Sequence, residues 1–234
     1  MKKTIHKADS RGHADHGWLK SYHTFSFAGY QNPERMNFGM LRVLNDDIVQ
    51  PKMGFGTHPH KNMEIISIPI SGALSHKDSM NNQRSIEVGE VQVMSAGRGL
   101  THSEFNDNKT DETNFLQLWI IPETQDVKPY YNQKMFDENG RKNKFQTLVS
   151  PVDKQVEGSL PIHQQGYIYM IDLDEGTQTN YELKNGAYFF LIDGEISVAD
   201  ETLEKRDAIG ITETDNVFVR ALRNSKLLII DVPM

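Results

Sequence analysis

The sequence predicts an all-β protein with little helix, and three observations lead there. The apolar runs are of strand length, and each stops at Gly, Pro, Asn or Asp. Alternate residues in the clearest runs share a chemical character, the period of an extended chain. Helical periodicity is weak throughout, and "SLPIHQQ" makes a single turn at most.

In chain order the strand candidates are "FGMLRVLNDD", "EIISIPISG", "IEVGEVQVM", "FLQLWIIP", "YIYMIDLDEG", "AYFFLIDGEISV" and "KLLIIDVP". Each is rich in β-branched and aromatic residues, which suit a pleated, half-buried surface. Pro59 favours an extended residue before it, so it is compatible with a strand through His58 and His60. Pro69 lacks a backbone donor and marks an edge or a gap in the ladder. The even positions His58, His60, Asn62, Glu64, Ile66, Ile68 and Ile70 grade from polar to apolar, as along one face of a barrel with a polar mouth and a packed floor.

An internal repeat is visible. The segment ending at Gly72 resembles the one ending at Gly194, an offset of 122 residues, and "SIEVGEVQVM" resembles "TLEKRDAIGI" at an offset of 117. Two copies of one β unit follow, with the changeover in "YYNQKMFDENGRKNKFQ". The offsets carry His58 and His60 to Asn180 and Glu182, and His102 and Glu104 to Val219 and Ala221. Any metal chemistry therefore belongs to the first half.

Bulk properties exclude several classes. At 37% hydrophobic and 24% charged residues the chain can bury a core. No apolar run reaches the roughly 18 residues of a membrane span. The net charge of -7 and the lack of a Lys/Arg run argue against direct nucleic-acid binding. The N-terminal lysines have no apolar segment behind them, so a cytoplasmic location is expected. With no cysteine, a transition-metal site must use His and carboxylate.

Two pairs offer such ligands. His58 and His60 stand at i and i+2, as do His102 and Glu104 after the glycine turn "AGRG". On two strands these would surround one ion and leave positions open on an octahedral metal. His58-x-His60 alone fits a polar turn equally well; the second pair shifts the balance towards metal. Glu64, four residues after His60, is an alternative carboxylate ligand, and spacing alone does not rank it against Glu104.

Further residues have two readings each. His76 and Asp78 either orient a ligand imidazole or are an ordinary strand pair. His23 covers the barrel mouth or packs in a strand. Gln117 and Trp119 share one parity, so both face the pocket or neither does. Arg98 attracts an anion or stabilises its turn, and His6, His13, His16 and His163 are expected at the surface.

The ordered segments "HTFSFAGY", "FGMLRVLNDD", "GFGTHPHKNMEI", "SHKDS", "GEVQVMSAGRGLTHSE" and "LQLWI" resemble the successive signatures of the pirin family, a branch of the cupin superfamily. The resemblance implies a bicupin, two face-to-face jelly-roll β-barrels, with metal in the barrel of residues 1–130 and a degenerate barrel over 131–234. By position it places the metal on His58, His60, His102 and Glu104, with Glu104 also the base. Glu64, His76 and Gln117 then fall in the pocket or behind the ligands. It implies one divalent transition metal, Fe(II) first, with Ni, Co, Mn or Zn as alternatives. The implied activity is cleavage of the flavonol quercetin by dioxygen, as in quercetin 2,3-dioxygenases, with release of carbon monoxide. The alternative is a non-enzymatic metal or redox sensor that binds a protein partner. Two barrels in one chain supply the interface that single cupins obtain by dimerising, so a monomer is expected. Lys61, Asn62 and Ser95 depart from the residues common in relatives.

Overall fold

The computed structural model describes all 234 residues, and they form strands joined by turns, with three single-turn 3-10 segments at Ala8–Ser10, Glu138–Gly140 and Val152–Lys154. No helix is long and apolar enough to cross a membrane. The chain divides into two compact units: Gly12–Phe136 with Ile162–Gln164, and Met1–Arg11 with Asp137–Pro161 and Gln165–Met234.

Each unit is a seven-stranded sheet and a four-stranded sheet, all strand pairs antiparallel. In the first unit the large sheet runs Tyr130–Met135, Glu90–Ser95, Glu64–Ser71, Thr113–Ile120, Leu41–Val49, Leu19–His23, Gly12–Asp15, and the small one Gly54–His60, Leu100–Phe105, Ala73–Asp78, Gln83–Glu87. The second unit repeats this order. Its strands Gly186–Asp193 and Glu201–Glu204 occupy the places of Glu64–Ser71 and Gln83–Glu87, which bears out the repeat read from sequence.

The domain limits differ from the expected 1–130 and 131–234. Tyr130–Met135 is an edge strand of the first unit, paired with Glu90–Ser95, so the chain changes unit only at Asp137. Lys2–His6 pairs with Ala208–Thr212 and so belongs to the second unit. In both places an otherwise open sheet edge gains a partner strand, which leaves fewer unpaired backbone groups.

The second unit's interior is apolar. Ile196, Val198, Val219 and Ala221 of the small sheet pack with Phe189, Ile229, Tyr169 and Tyr181 in one cluster. Cross-strand register shows what these replace. Ile196 pairs with Ala221 and Val198 with Val219, where the first unit pairs His76 with Glu104 and Asp78 with His102. The rung Phe189–Ile229–Tyr169 stands where the first unit has Ser67–Gln117–Asn45. The register also corrects the first offset, 122, by one residue: Val219 pairs with Thr179 as His102 pairs with His58, so the counterparts of His58 and His60 are Thr179 and Tyr181 rather than Asn180 and Glu182.

One expectation about the first unit fails. Gly54–His60 and Glu64–Ser71 lie in different sheets, and the chain passes between them through Asn62 in the left-handed region, φ 49°. The even positions therefore do not form one continuous face. Ser67, an odd position, reaches Glu104 at 3.3 Å, so Glu64, Ile66 and Ile68 lie on the sheet's other face. Pro69 does sit at a ladder gap: on one side the pairing with Glu90–Ser95 ends at Ser67, and on the other the register shifts opposite it.

Candidate metal centre

The small sheet of the first unit sets the histidines. His58 lies opposite His102 in the register of Gly54–His60 with Leu100–Phe105, and alternation puts His60 on the same face as His58. The ring centroids are 4.8 Å apart for His58 and His60, 4.5 Å for His58 and His102, and 4.8 Å for His60 and His102. The register shifts between His102 and Glu104, which pair with His58 and Phe55, so Gly54–His60 carries one extra residue next to the site. Gly54 permits the close pairing there, since a Cβ on it would meet the Glu104 carbonyl oxygen at 2.2 Å.

Hydrogen bonds leave these imidazoles with free lone pairs. His58 Nδ1 is 2.8 Å from the Gly56 carbonyl, so Nδ1–H donates and Nε2 carries the lone pair. Behind His102 runs a chain to Asp78. His76 Nε2–H donates to Asp78 Oδ2 at 3.1 Å, and His76 Nδ1 faces His102 Nδ1 at 3.5 Å. Asp78 also accepts from Met80 N, Asn82 N and Asn82 Nδ2, which holds it as the acceptor end of the chain. His102 Nε2, the end pointing away from His76, is buried with no hydrogen-bond partner. Burial lowers the pKa of His60 to about 4, with His58 adding repulsion, and burial with repulsion from His58, His60 and His76 holds His102 lower still, so both rings are neutral at pH 7.

Glu104 is buried beside them. Gln117 Nε2 donates to its Oε2 at 2.8 Å and Ser67 Oγ to its Oε1 at 3.3 Å. Burial raises its pKa above the usual carboxylate range against the opposing pull of Gln117. Its carboxylate groups with His76 and His102, and the three histidines group separately; within each trio the donor atoms lie within 4.8 Å of one another. An unpartnered buried nitrogen among neutral imidazoles, next to a carboxylate, fits a divalent transition ion.

These groups open onto a cavity of about 760 Å³. His58, His60, Glu104, Gln117 and Trp119 line it, so Gln117 and Trp119 both take the pocket side of their shared parity. Trp18, Phe27, Phe55 and Trp119 form apolar walls, with Trp119 edge-on to both His60 and Phe27. His23 lines the cavity as well, and His13 and His16, exposed as expected, form part of its rim. His6 is not at the surface; it is buried against Tyr188, 2.7 Å from its hydroxyl.

Glu64 is placed apart. It does not line the cavity; it accepts from Ser95 Oγ at 2.5 Å, and burial raises its pKa to about 7. The turn at Asn62, which moves the chain into the other sheet, is the reason. Arg98 is exposed in its turn, where its backbone N–H donates to Val127 O. Sequence reasoning missed Ser21, Asn45 and Asp47, which line the cavity from the large sheet. Only cross-strand register identifies them.

Comparison with known proteins gives a consistent result. The family signature described as Pirin matches residues 4–120, and that described as the quercetinase C-terminal cupin domain matches residues 147–232. A quercetin 2,3-dioxygenase from Escherichia coli K12 is 38% identical over 231 residues, covering 98% of each chain. A pirin-like protein from Caulobacter vibrioides is 38% identical over 225 residues, covering 95% of this chain and 96% of its own. The crystal structure of a bacterial pirin from Escherichia coli in complex with nickel(II) superposes with a TM-score of 0.93 at 36% identity, covering 99% of both chains.

Proposed function

The chain belongs to the pirin family, and on that footing we propose that its first unit is a metal-dependent oxygenase centre that cleaves a quercetin-type flavonol with dioxygen. One observation carries the reading: His58 and His60 line an aromatic cavity, and the buried His102 ring lies 4.5 and 4.8 Å from theirs with its Nε2 unpartnered. The cavity volume lies within the roughly 300 to 1,000 Å³ typical of small-molecule sites.

His58, His60 and His102 would hold the ion, with Glu104 as the neighbouring carboxylate. Nickel(II) is the first metal to test, because the Escherichia coli pirin is described with it, and iron(II) the second. A bound ion would supply Lewis acidity and the redox contact with dioxygen.

The chain's own residues do the rest. Trp18, Phe27, Phe55 and Trp119 hold flat rings and exclude water. Glu104 takes the proton of the substrate's 3-hydroxyl at its carboxylate, and burial, which raises its pKa, strengthens it as a base. A carboxylate held firmly by an ion makes a poor base, so Glu104 would have to be free of the ion to take that proton. Gln117 steadies it from Oε2.

The test is metal analysis of the purified chain, then oxygen uptake with quercetin after loading with nickel, iron or cobalt. Uptake with release of carbon monoxide in at least one loaded form is expected. Metal binding without uptake in any form would favour the sensor with a protein partner, and failure to bind any metal would overturn both readings.

A further inference from the structure

The cavity has a second polar wall, away from the histidines of the small sheet. Ser21, His23, Asn45 and Asp47 line it from two paired strands, with Asp47 opposite Ser21 and Asn45 opposite His23. Asp47 is 3% exposed, and the Ser21 hydroxyl donates to its Oδ1. Ser21 thus holds the carboxyl by Oδ1, and the buried side chain lines the aromatic cavity. His23 Nδ1 is 3.0 Å from Asn45 Oδ1; with Nδ1–H donating there, Nε2 is left as an acceptor. Phe27 and Tyr30 flank the His23 ring, with centroids 5.3 and 6.3 Å away.

The register gives the span. Gln117, which holds Glu104, is opposite Asn45, and Asn45 is opposite His23. Two strand spacings put His23 about 10 Å from the Gln117 backbone. The cavity thus has acceptors at two separate places along aromatic walls. No Lys or Arg lines it, so an anionic group would find no partner beside Asp47.

We propose that Asp47 Oδ2 and His23 Nε2 form a hydroxyl-binding subsite that takes the O–H donors of a phenolic ring at the end of the substrate remote from the histidine centre. This rests on the flavonol reading and sharpens it: the substrate carries hydroxyls on its pendant ring as well as next to the reacting carbons. Two acceptors match two donors. Burial raises the Asp47 pKa to about 7, with Ser21 opposing, so above that pH the carboxylate is an acceptor.

Trp18 and Trp119, the two tryptophans of the chain, both line the cavity, so intrinsic fluorescence reports occupancy without turnover. Nickel-loaded protein is titrated, without dioxygen, with quercetin and with a flavonol whose pendant ring has no hydroxyls. Wild type is expected to favour quercetin by about tenfold or more, the scale of one or two buried hydrogen bonds. Asp47→Leu and His23→Phe should each reduce the ratio to a few-fold or less by weakening quercetin. Asp47→Asn keeps the shape and the Ser21 bond but puts a donor where Oδ2 was an acceptor, and should lower the ratio in a protein whose circular dichroism matches wild type. Equal binding of both flavonols by wild type, or an unchanged ratio in the Asp47→Asn and His23→Phe proteins, would overturn the subsite. Binding of neither flavonol to wild type would overturn the flavonol reading and the subsite with it. Discriminating binding without oxygen uptake would remove the oxygenase step and leave the subsite standing.

Discussion

Replacing His76 with phenylalanine isolates the chain behind His102. The phenyl ring keeps the stacking on Tyr131, whose centroid is 4.6 Å from His76, and removes both nitrogens. Asp78 loses one donor and keeps three, from Met80 and Asn82, so the main loss falls on His102. Its Nδ1–H loses the acceptor that fixes the tautomer and leaves Nε2 free for the ion. Losing such an outer partner weakens metal affinity by about 10- to 100-fold. The 3.5 Å separation is long, so the lower end is expected: about tenfold, or about 1.4 kcal/mol. The assay is competition for nickel(II) against a chelator of known affinity, with circular dichroism to confirm folding. Asp78→Asn should act in the same direction, and the double variant should lose less than the two effects combined. Affinity within twofold of wild type for His76→Phe would refute the argument, since His102 would then need no orienting partner.

Three other outcomes follow from the geometry. Glu104→Gln should keep metal affinity within about tenfold and lower quercetin-dependent oxygen uptake by about 100-fold or more, the general-base scale; unchanged uptake would place the base elsewhere. Glu64 has a folded-state pKa of about 7 against an ordinary 4.5, so the folded chain keeps its proton where the unfolded chain loses it. Its contribution to stability therefore falls as pH rises from about 4.5 to 7 and stays low above that, by roughly 3 kcal/mol at most. Denaturant titrations should show Glu64→Gln gaining on wild type at pH 8 relative to pH 5, and parallel pH trends would refute this. Gly54→Ala puts a Cβ at 2.2 Å from the Glu104 carbonyl oxygen and 2.6 Å from Phe105 Cα, so Leu100–Phe105 must shift. It should cost about 1 to 3 kcal/mol in unfolding and weaken metal binding; a wild-type melting temperature and metal affinity would show that the strand yields freely.

The sequence by itself determined the all-β class, the repeat, the two i, i+2 pairs of candidate ligands and the absence of their counterparts from the second half. These are local properties. Strand alternation sets which residues share a face over a few positions, and an i, i+2 pair keeps its meaning wherever its strand lies. Only the tertiary structure decided which faces meet. The left-handed turn at Asn62 took Glu64 off the cavity while Glu104, forty positions further on, stayed beside the histidines. Register between strands far apart in the chain put His76 behind His102 and set Asn45 and Asp47 across from His23 and Ser21. It also gave the first strand to the second unit. The physical reason is that alternation repeats every two residues, so shifting a strand by one exchanges its two faces. Nothing within a strand states its register against a distant partner, which is settled by the turns and the packing of the whole sheet.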